Sequence, residues 1–117
     1  RRLASSRARV LPPGLVADVD RASWTVPPIF ALLARGAGAE LAQFEGTLNL
    51  GVGMIAIVPA SAVESATASL AASGIPAWEL GTVRVETPDD VTHHQIVTGT
   101  KGVNGGAVML HAEYRTA

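Results

Sequence analysis

The stretch TLNLGVGM, residues 47–54, sets a hydroxyl, an amide and two glycines at short spacing. Asn49 can donate or accept a hydrogen bond beside an anion. Gly51 and Gly53 let main-chain N–H groups approach an oxyanion with no Cβ in the way. The same glycines suit a bend or close packing ahead of a strand, and both readings are open. A dinucleotide-binding fingerprint is not met, because the third glycine is missing and a strand, not a helix, is expected to follow.

The remaining candidates point to structure more than to chemistry. Asp18 and Asp20 are two apart on an alternating run, so both carboxylates project from one strand face, where they can bind magnesium or stay solvated. His93 and His94 are adjacent and diverge on any regular element, and no third ligand completes a chelating set, so no metal site is expected. His111 falls opposite Val108 and Leu110 in an alternating segment and reads as a partly exposed structural histidine. TGTKGVNGG, residues 98–106, lacks the Lys followed by Ser or Thr of a phosphate loop and reads as a hairpin. No serine carries a nucleophile elbow.

The elements that must hold these residues follow from pattern. Residues 2–9 allow a short helix that Pro12 and Pro13 end. LVADVD, residues 15–20, alternates and predicts a half-buried strand. Pro27 and Pro28 suit a first helical turn, with Ile29, Leu32 and Leu33 as its apolar stripe and Gly36 as its stop. A brief helix is expected over 39–45. Residues 52–58, apolar on both faces, predict a strand at the centre of the sheet. SAVE, residues 61–64, has capping-box spacing ahead of a helix carrying Val63, Ala66 and Leu70, which Gly74 ends. The parity change between Trp78 and Val83 predicts a strand kinked at Gly81. Gly53, at the entry to the central strand, is expected at positive φ. A short strand at 95–98, an NGG turn and a strand over 107–114 close the chain as a hairpin, with Val108, Leu110, Ala112 and Tyr114 on one face. Strands interleaved with helices predict an α+β fold, with a mixed, mainly antiparallel sheet carrying helices on one face.

Composition narrows the functional classes. The chain has 117 residues, about one domain, and 48% of them are apolar. A net charge of −1, with no basic block beyond the short cluster Arg1, Arg2, Arg7 and Arg9, argues against a nucleic-acid footprint. The absence of cysteine excludes disulfides and thiolate chemistry. The longest apolar run is too short to span a bilayer, so no membrane partner is expected and the location is expected to be cytoplasmic.

Read together, RVLPPG, VADVD, SWTVPPIFALLARGA, TLNLGVGMIAIVPA and GIPAWELGTV resemble the C-terminal domain of phosphoribosylformylglycinamidine cyclo-ligase, also called aminoimidazole ribonucleotide synthetase. The resemblance runs from about Arg9 to Val83. The T-F-N-x-G-x-G-M signature of that family is matched by Thr47, Asn49, Gly51, Gly53 and Met54, with Leu48 in place of the aromatic residue. D-x-x-S-W-x-x-P-P-I-F is matched by Asp20, Ser23, Trp24, Pro27, Pro28, Ile29 and Phe30. Arg1 and Arg2 stand where the family has glycines, and Arg7 where an apolar residue is usual.

The resemblance implies a ligase of de novo purine (IMP) biosynthesis, which uses ATP to cyclise formylglycinamidine ribonucleotide to aminoimidazole ribonucleotide. ATP activates the formyl oxygen as a phosphoryl ester, and a ring nitrogen displaces it with release of phosphate. It further implies that residues 1–117 form a single C-terminal domain, with the ATP-binding domain absent, and that Thr47, Asn49, Gly51 and Gly53 face the substrate. ATP and Mg belong to the full-length enzyme, and neither is expected to bind this chain tightly. The implied partners are the phosphoribosyl amidine substrate, the ATP-binding domain and a second copy in a homodimer. The isolated chain is expected to be inactive. The alternatives are a related domain of the superfamily (amidine synthetase, hydrogenase maturation or selenophosphate synthase) and a non-catalytic binding or assembly module.

Overall fold

The computed structural model of the chain describes residues 11–92, 96–98 and 106–116. The helix expected over residues 2–9 and the His93–His94 pair fall outside them. Strand β1, Leu15–Asp20, forms where the alternation places it. On one side it pairs antiparallel with β3, Gly81–Val85, and on the other in parallel with β5, Ala107–His111. Antiparallel to β5 lies β4, Ile96–Thr98, so the order is β3-β1-β5-β4. A second, two-stranded sheet joins β2, Thr25–Val26, in parallel to β6, Arg115–Thr116. Two of the three ladders in the larger sheet are antiparallel, as the α+β reading with a mixed, mainly antiparallel sheet requires. The helices are α1, Pro28–Ala37, and α2, Val63–Ala72, each accompanied by 3-10 turns.

The centre of the sheet differs from expectation. Residues 52–59 form no strand, and Met54 is 85% and Ile57 56% exposed. The central places go to β1 and β5 instead. All four residues from Ala107 to Leu110 are buried: Val108 and Leu110 pack with Val19, while Ala107 and Met109 pack with Val16 on the opposite face. An apolar run records a need for cover and does not name the surface that supplies it. Among the described residues no neighbouring strand covers 52–59, so beyond the buried Val52 the run, residues 53–59, stays at the surface.

Local signals were displaced in similar ways. In α1 the stripe Ile29, Leu32 and Leu33 faces solvent, whereas Ala34 is buried and Phe30 packs on the core. That helix runs past Gly36 and ends at Gly38. The Ser61 capping box does not form: Ala62 occupies the N-cap of α2 without a side-chain bond. Gly81 opens β3 and needs no kink, since the ladder continues through the Asp20 N–H to the Leu80 carbonyl at 3.0 Å. Its glycine answers a close approach, because a Cβ there would lie 1.8 Å from the Asp18 carbonyl oxygen. Tyr114 lies beyond the end of β5 and packs with a different cluster from Val108 and Leu110.

Candidate functional site

The segment holding Thr47, Asn49, Gly51 and Gly53 folds as a tight turn. The Asn49 carbonyl accepts from the Val52 N–H at 3.0 Å, and its side-chain Oδ1 accepts from the Gly51 N–H at 3.0 Å. Leu50 takes φ 53° and Gly51 φ 96°. A Cβ at Gly51 would also meet Pro27 Cδ at 2.5 Å, so both the dihedral and the contact call for glycine. Gly53 differs: its φ is not positive and a Cβ there would meet nothing within 4 Å. The positive φ expected at Gly53 therefore belongs to Gly51. Thr47 is exposed and closes the preceding turn by donating its N–H to the Phe44 carbonyl at 2.9 Å, Asn49 is half-buried, and Gly53 follows the Asn49–Val52 turn, so the four line one surface segment that Leu50 anchors inward.

Trp24 forms the floor of that turn. Its Nε1–H donates to the Leu50 carbonyl at 3.0 Å, and Trp24, Val26, Leu50 and Val52 make a buried cluster against which Phe30, Phe44, Leu48 and Tyr114 pack. Two stretches 26 residues apart are thus one unit. Glu45, at the stem, receives Arg21 Nε at 2.5 Å and the Tyr114 hydroxyl at 2.6 Å. Arg21 and Glu45 are each only 12% exposed in their side chains, so loss of either partner would leave a poorly solvated charge. Arg21 also donates to the carbonyls of Leu110 and Ala112. Burial, and next the bond to Glu45, raise the Tyr114 phenol above its ordinary pKa. The Ser23 hydroxyl is buried without a partner among the described residues.

Asp18 and Asp20 leave the same strand face for different tasks. Asp20 caps the 3-10 turn at Arg21–Ser23 by accepting from the Ala22 N–H at 2.8 Å. Asp18 accepts from Arg84 Nε at 2.5 Å and lies 2.8 Å from His111 Nε2. The Arg84 guanidinium also grips Asp90 with two bonds of 2.8 Å, and Asp90 accepts further from the Thr87 amide and hydroxyl. The bonds from Arg84, then the Thr87 amide, hold the Asp90 carboxyl well below the usual range. Burial opposes ionisation of Asp18, but the bonds from Arg84 and His111 outweigh it and its pKa is lowered. This network saturates its carboxylates internally and fastens the 3-10 turn at Pro88–Thr92 to the sheet. Among the described residues no three His, Asp or Glu side chains form a metal-binding set. No helix among them is long and apolar enough to cross a membrane.

Residues 3–94, well over half of the chain, match the family described as AIR synthase related protein, C-terminal domain. The chain belongs to that family. A Streptomyces fradiae protein provisionally named phosphoribosylformylglycinamidine cyclo-ligase is 47% identical over 112 residues, 96% of this chain and 55% of that protein. The phosphoribosylformylglycinamidine cyclo-ligases of Paraburkholderia phymatum and Methylobacillus flagellatus are 42% and 41% identical over 82 and 78 residues. The chain spans about half the length of the first relative and under a quarter of the other two. In this AIR synthase related domain the match stops at residue 94, yet β5 and Tyr114, which complete its sheet and the turn's support, lie beyond it.

The roles of Trp24, Glu45, Arg21 and Tyr114 in supporting the turn were not legible in the sequence. Their separations of 24, 26 and 69 residues carry no periodic signal. Only the SW dipeptide and the TLNLGVGM stretch, each notable by itself, pointed toward the place where they meet.

Proposed function

We propose that this chain is the C-terminal part of an ATP-dependent ligase that cyclises formylglycinamidine ribonucleotide to aminoimidazole ribonucleotide in purine biosynthesis. The observation that carries the reading is the turn at Asn49–Val52 seated on Trp24, which joins the two stretches resembling the cyclo-ligase signatures within a chain of that family. Thr47, Asn49, Gly51 and Gly53 form the lip that faces the phosphoribosyl substrate. Its share of catalysis is orientation and exclusion of water, which act through the geometry of a rigid turn.

Among the described residues no three His, Asp or Glu side chains converge on a cation. Asp18 and Asp90 are engaged by Arg84, and Glu45 by Arg21 and Tyr114, so these three carboxylates already have partners within the chain. No step at the nucleotide is assigned to this chain. The ATP-binding domain is the partner, and the exposed Met54, Ile55, Ile57 and Val58 are apolar surface suited to cover by the remainder of such an enzyme. The location that goes with this role is the cytoplasm.

A chimera tests the proposal: residues 9–83 replace the matching part of the Paraburkholderia phymatum protein. The chimera is expected to form aminoimidazole ribonucleotide with release of ADP and phosphate, while Thr47→Val and Asn49→Ala lower kcat/KM about tenfold, the worth of one lost hydrogen bond in a polar site. The 117-residue chain alone is expected to turn over no ATP. A folded chimera that binds ATP but closes no ring would favour a non-catalytic assembly module instead.

A further inference from the structure

The C-terminal segment beyond β5 has a geometry that its sequence does not explain by itself. Ala112 takes φ 63°, a left-handed conformation unusual for alanine, and turns the chain away from β5. Arg115 and Thr116 then pair with Thr25 and Val26, the residues that directly follow Trp24. Between these two fixed points Tyr114 touches the turn's support in two places. Its hydroxyl donates to Glu45, which stands two residues before Thr47 on the stem. Its ring meets the Trp24 indole edge-on, with centroids 5.6 Å apart and planes at 75°, and Trp24 is the group that holds the Leu50 carbonyl. Arg21 closes the arrangement from below, bonded to Glu45 and to the Leu110 and Ala112 carbonyls, with its guanidinium 5.6 Å from the Tyr114 ring.

We propose that residues 112–116 are a strap, and that Tyr114 is a positioning residue that sets the conformation of the Thr47–Gly53 lip through Glu45 and Trp24. One side chain grips both the stem and the floor, so the strap holds the Leu50 and Gly51 dihedrals that the turn would not keep in isolation. A non-glycine residue at positive φ costs about 1–2 kcal/mol and persists only where its surroundings enforce it. Leu50 is such a residue, fully buried, and the strap lies on the side chain that binds its carbonyl. The strap lies outside residues 3–94, so the lip of this chain depends on residues that the family match does not include. What the lip binds rests on the function proposed above; its conformational dependence on Tyr114 does not.

Amide hydrogen exchange on the full 117-residue chain tests the dependence directly. Tyr114→Phe keeps the ring against Trp24 and removes only the hydroxyl, and Glu45→Gln keeps an acceptor while removing the charge. In Tyr114→Phe the Gly51 and Val52 amides, which bond to Asn49, are expected to exchange about tenfold faster, the loss of one bond to a charged acceptor. The amides of Val16 and Val19 in β1 are expected to stay unchanged, and Glu45→Gln to lie between the two. Equal acceleration in the lip and in β1 would show a merely structural role and overturn the proposal, as would no change in the lip. In a ring-closing chimera extended to residue 116, Tyr114→Phe is expected to raise KM for formylglycinamidine ribonucleotide with kcat nearly constant. An active chimera indifferent to Tyr114→Phe would refute the strap alone; an inactive one would refute the substrate reading and leave the exchange result standing.

Discussion

The indole of Trp24 holds the carbonyl of Leu50 at 3.0 Å, in a cluster where Leu50 has no exposed surface and Trp24 very little. That single bond satisfies a carbonyl whose residue is forced to positive φ, and it locks the turn at Asn49–Val52 to β2 and the N-terminus of α1. Trp24→Phe would retain most of the apolar contact but leave the carbonyl buried without a donor. The expected loss is about 1–3 kcal/mol, the penalty of an unsatisfied buried acceptor. Urea unfolding measures it, and a midpoint equal to that of the native chain would show that water or another donor replaces the indole.

Three glycines should separate by contact and dihedral. At Gly81 a Cβ would overlap the Asp18 carbonyl oxygen, so Gly81→Ala must open the β1–β3 ladder. A destabilisation of about 3 kcal/mol or more is expected, at the upper end of overpacking effects. Gly51→Ala meets Pro27 at a positive φ and should cost about 2 kcal/mol. Gly53→Ala should change stability by less than about 0.5 kcal/mol, like other unencumbered surface changes. A Gly53 variant as damaged as the Gly81 variant would contradict this ordering.

Acid stability is expected to follow Asp90 and Asp18. Both pKa values are lowered in the folded state, so below about pH 4 the unfolded chain takes up protons that the folded chain refuses. Stability is therefore complete above that range and falls as pH drops through the folded values. Thermal unfolding followed by circular dichroism should show the midpoint falling by several degrees as pH drops from neutral to about pH 3. Asp90→Asn should lower the midpoint at neutral pH and flatten the acid slope, since Asn carries no charge for Arg84 and does not titrate. An unflattened slope would assign the acid sensitivity elsewhere.

Alkaline behaviour reports on the strap, because Tyr114 is the chain's one tyrosine. Burial and the Glu45 bond raise its pKa from 10.0, with Arg21 acting in the opposite direction. The folded chain keeps a proton that the unfolded chain releases, so stability is complete below about pH 10 and declines as pH rises toward the folded value. Tyrosinate absorbance should therefore appear together with the loss of native circular dichroism and not as a separate titration near pH 10. Glu45→Gln should bring the ionisation closer to 10. A native protein that titrates at the ordinary value would contradict the buried Tyr114–Glu45 bond.

Much of the element inventory was readable because it depends on neighbours in sequence. Strand β1 follows from the LVADVD alternation, and the start of α1 from Pro27 and Pro28. The candidate lip was readable as a turn from Asn49 and its glycines, although the demanding dihedral sits at Gly51 and not at Gly53. Less legible was which side of each element faces inward. Ile29, Leu32 and Leu33 look like a core stripe until Phe30 and Ala34 are seen to take that place. Composition cannot rank two apolar faces of one helix when the surface opposite them is unknown.

By itself, the sequence determined the kind of element at most positions, the punctuation by Pro and Gly, and a resemblance strong enough to indicate the family. These are local properties, written in side-chain spacing and backbone preference. Only the tertiary structure decided that β5, and not residues 52–58, occupies the centre of the sheet beside β1. It alone brought Trp24, Glu45 and Tyr114 beneath the Thr47–Gly53 turn. Strand order and such clusters depend on which distant surfaces exclude water from one another, and that competition leaves no periodic mark in the chain.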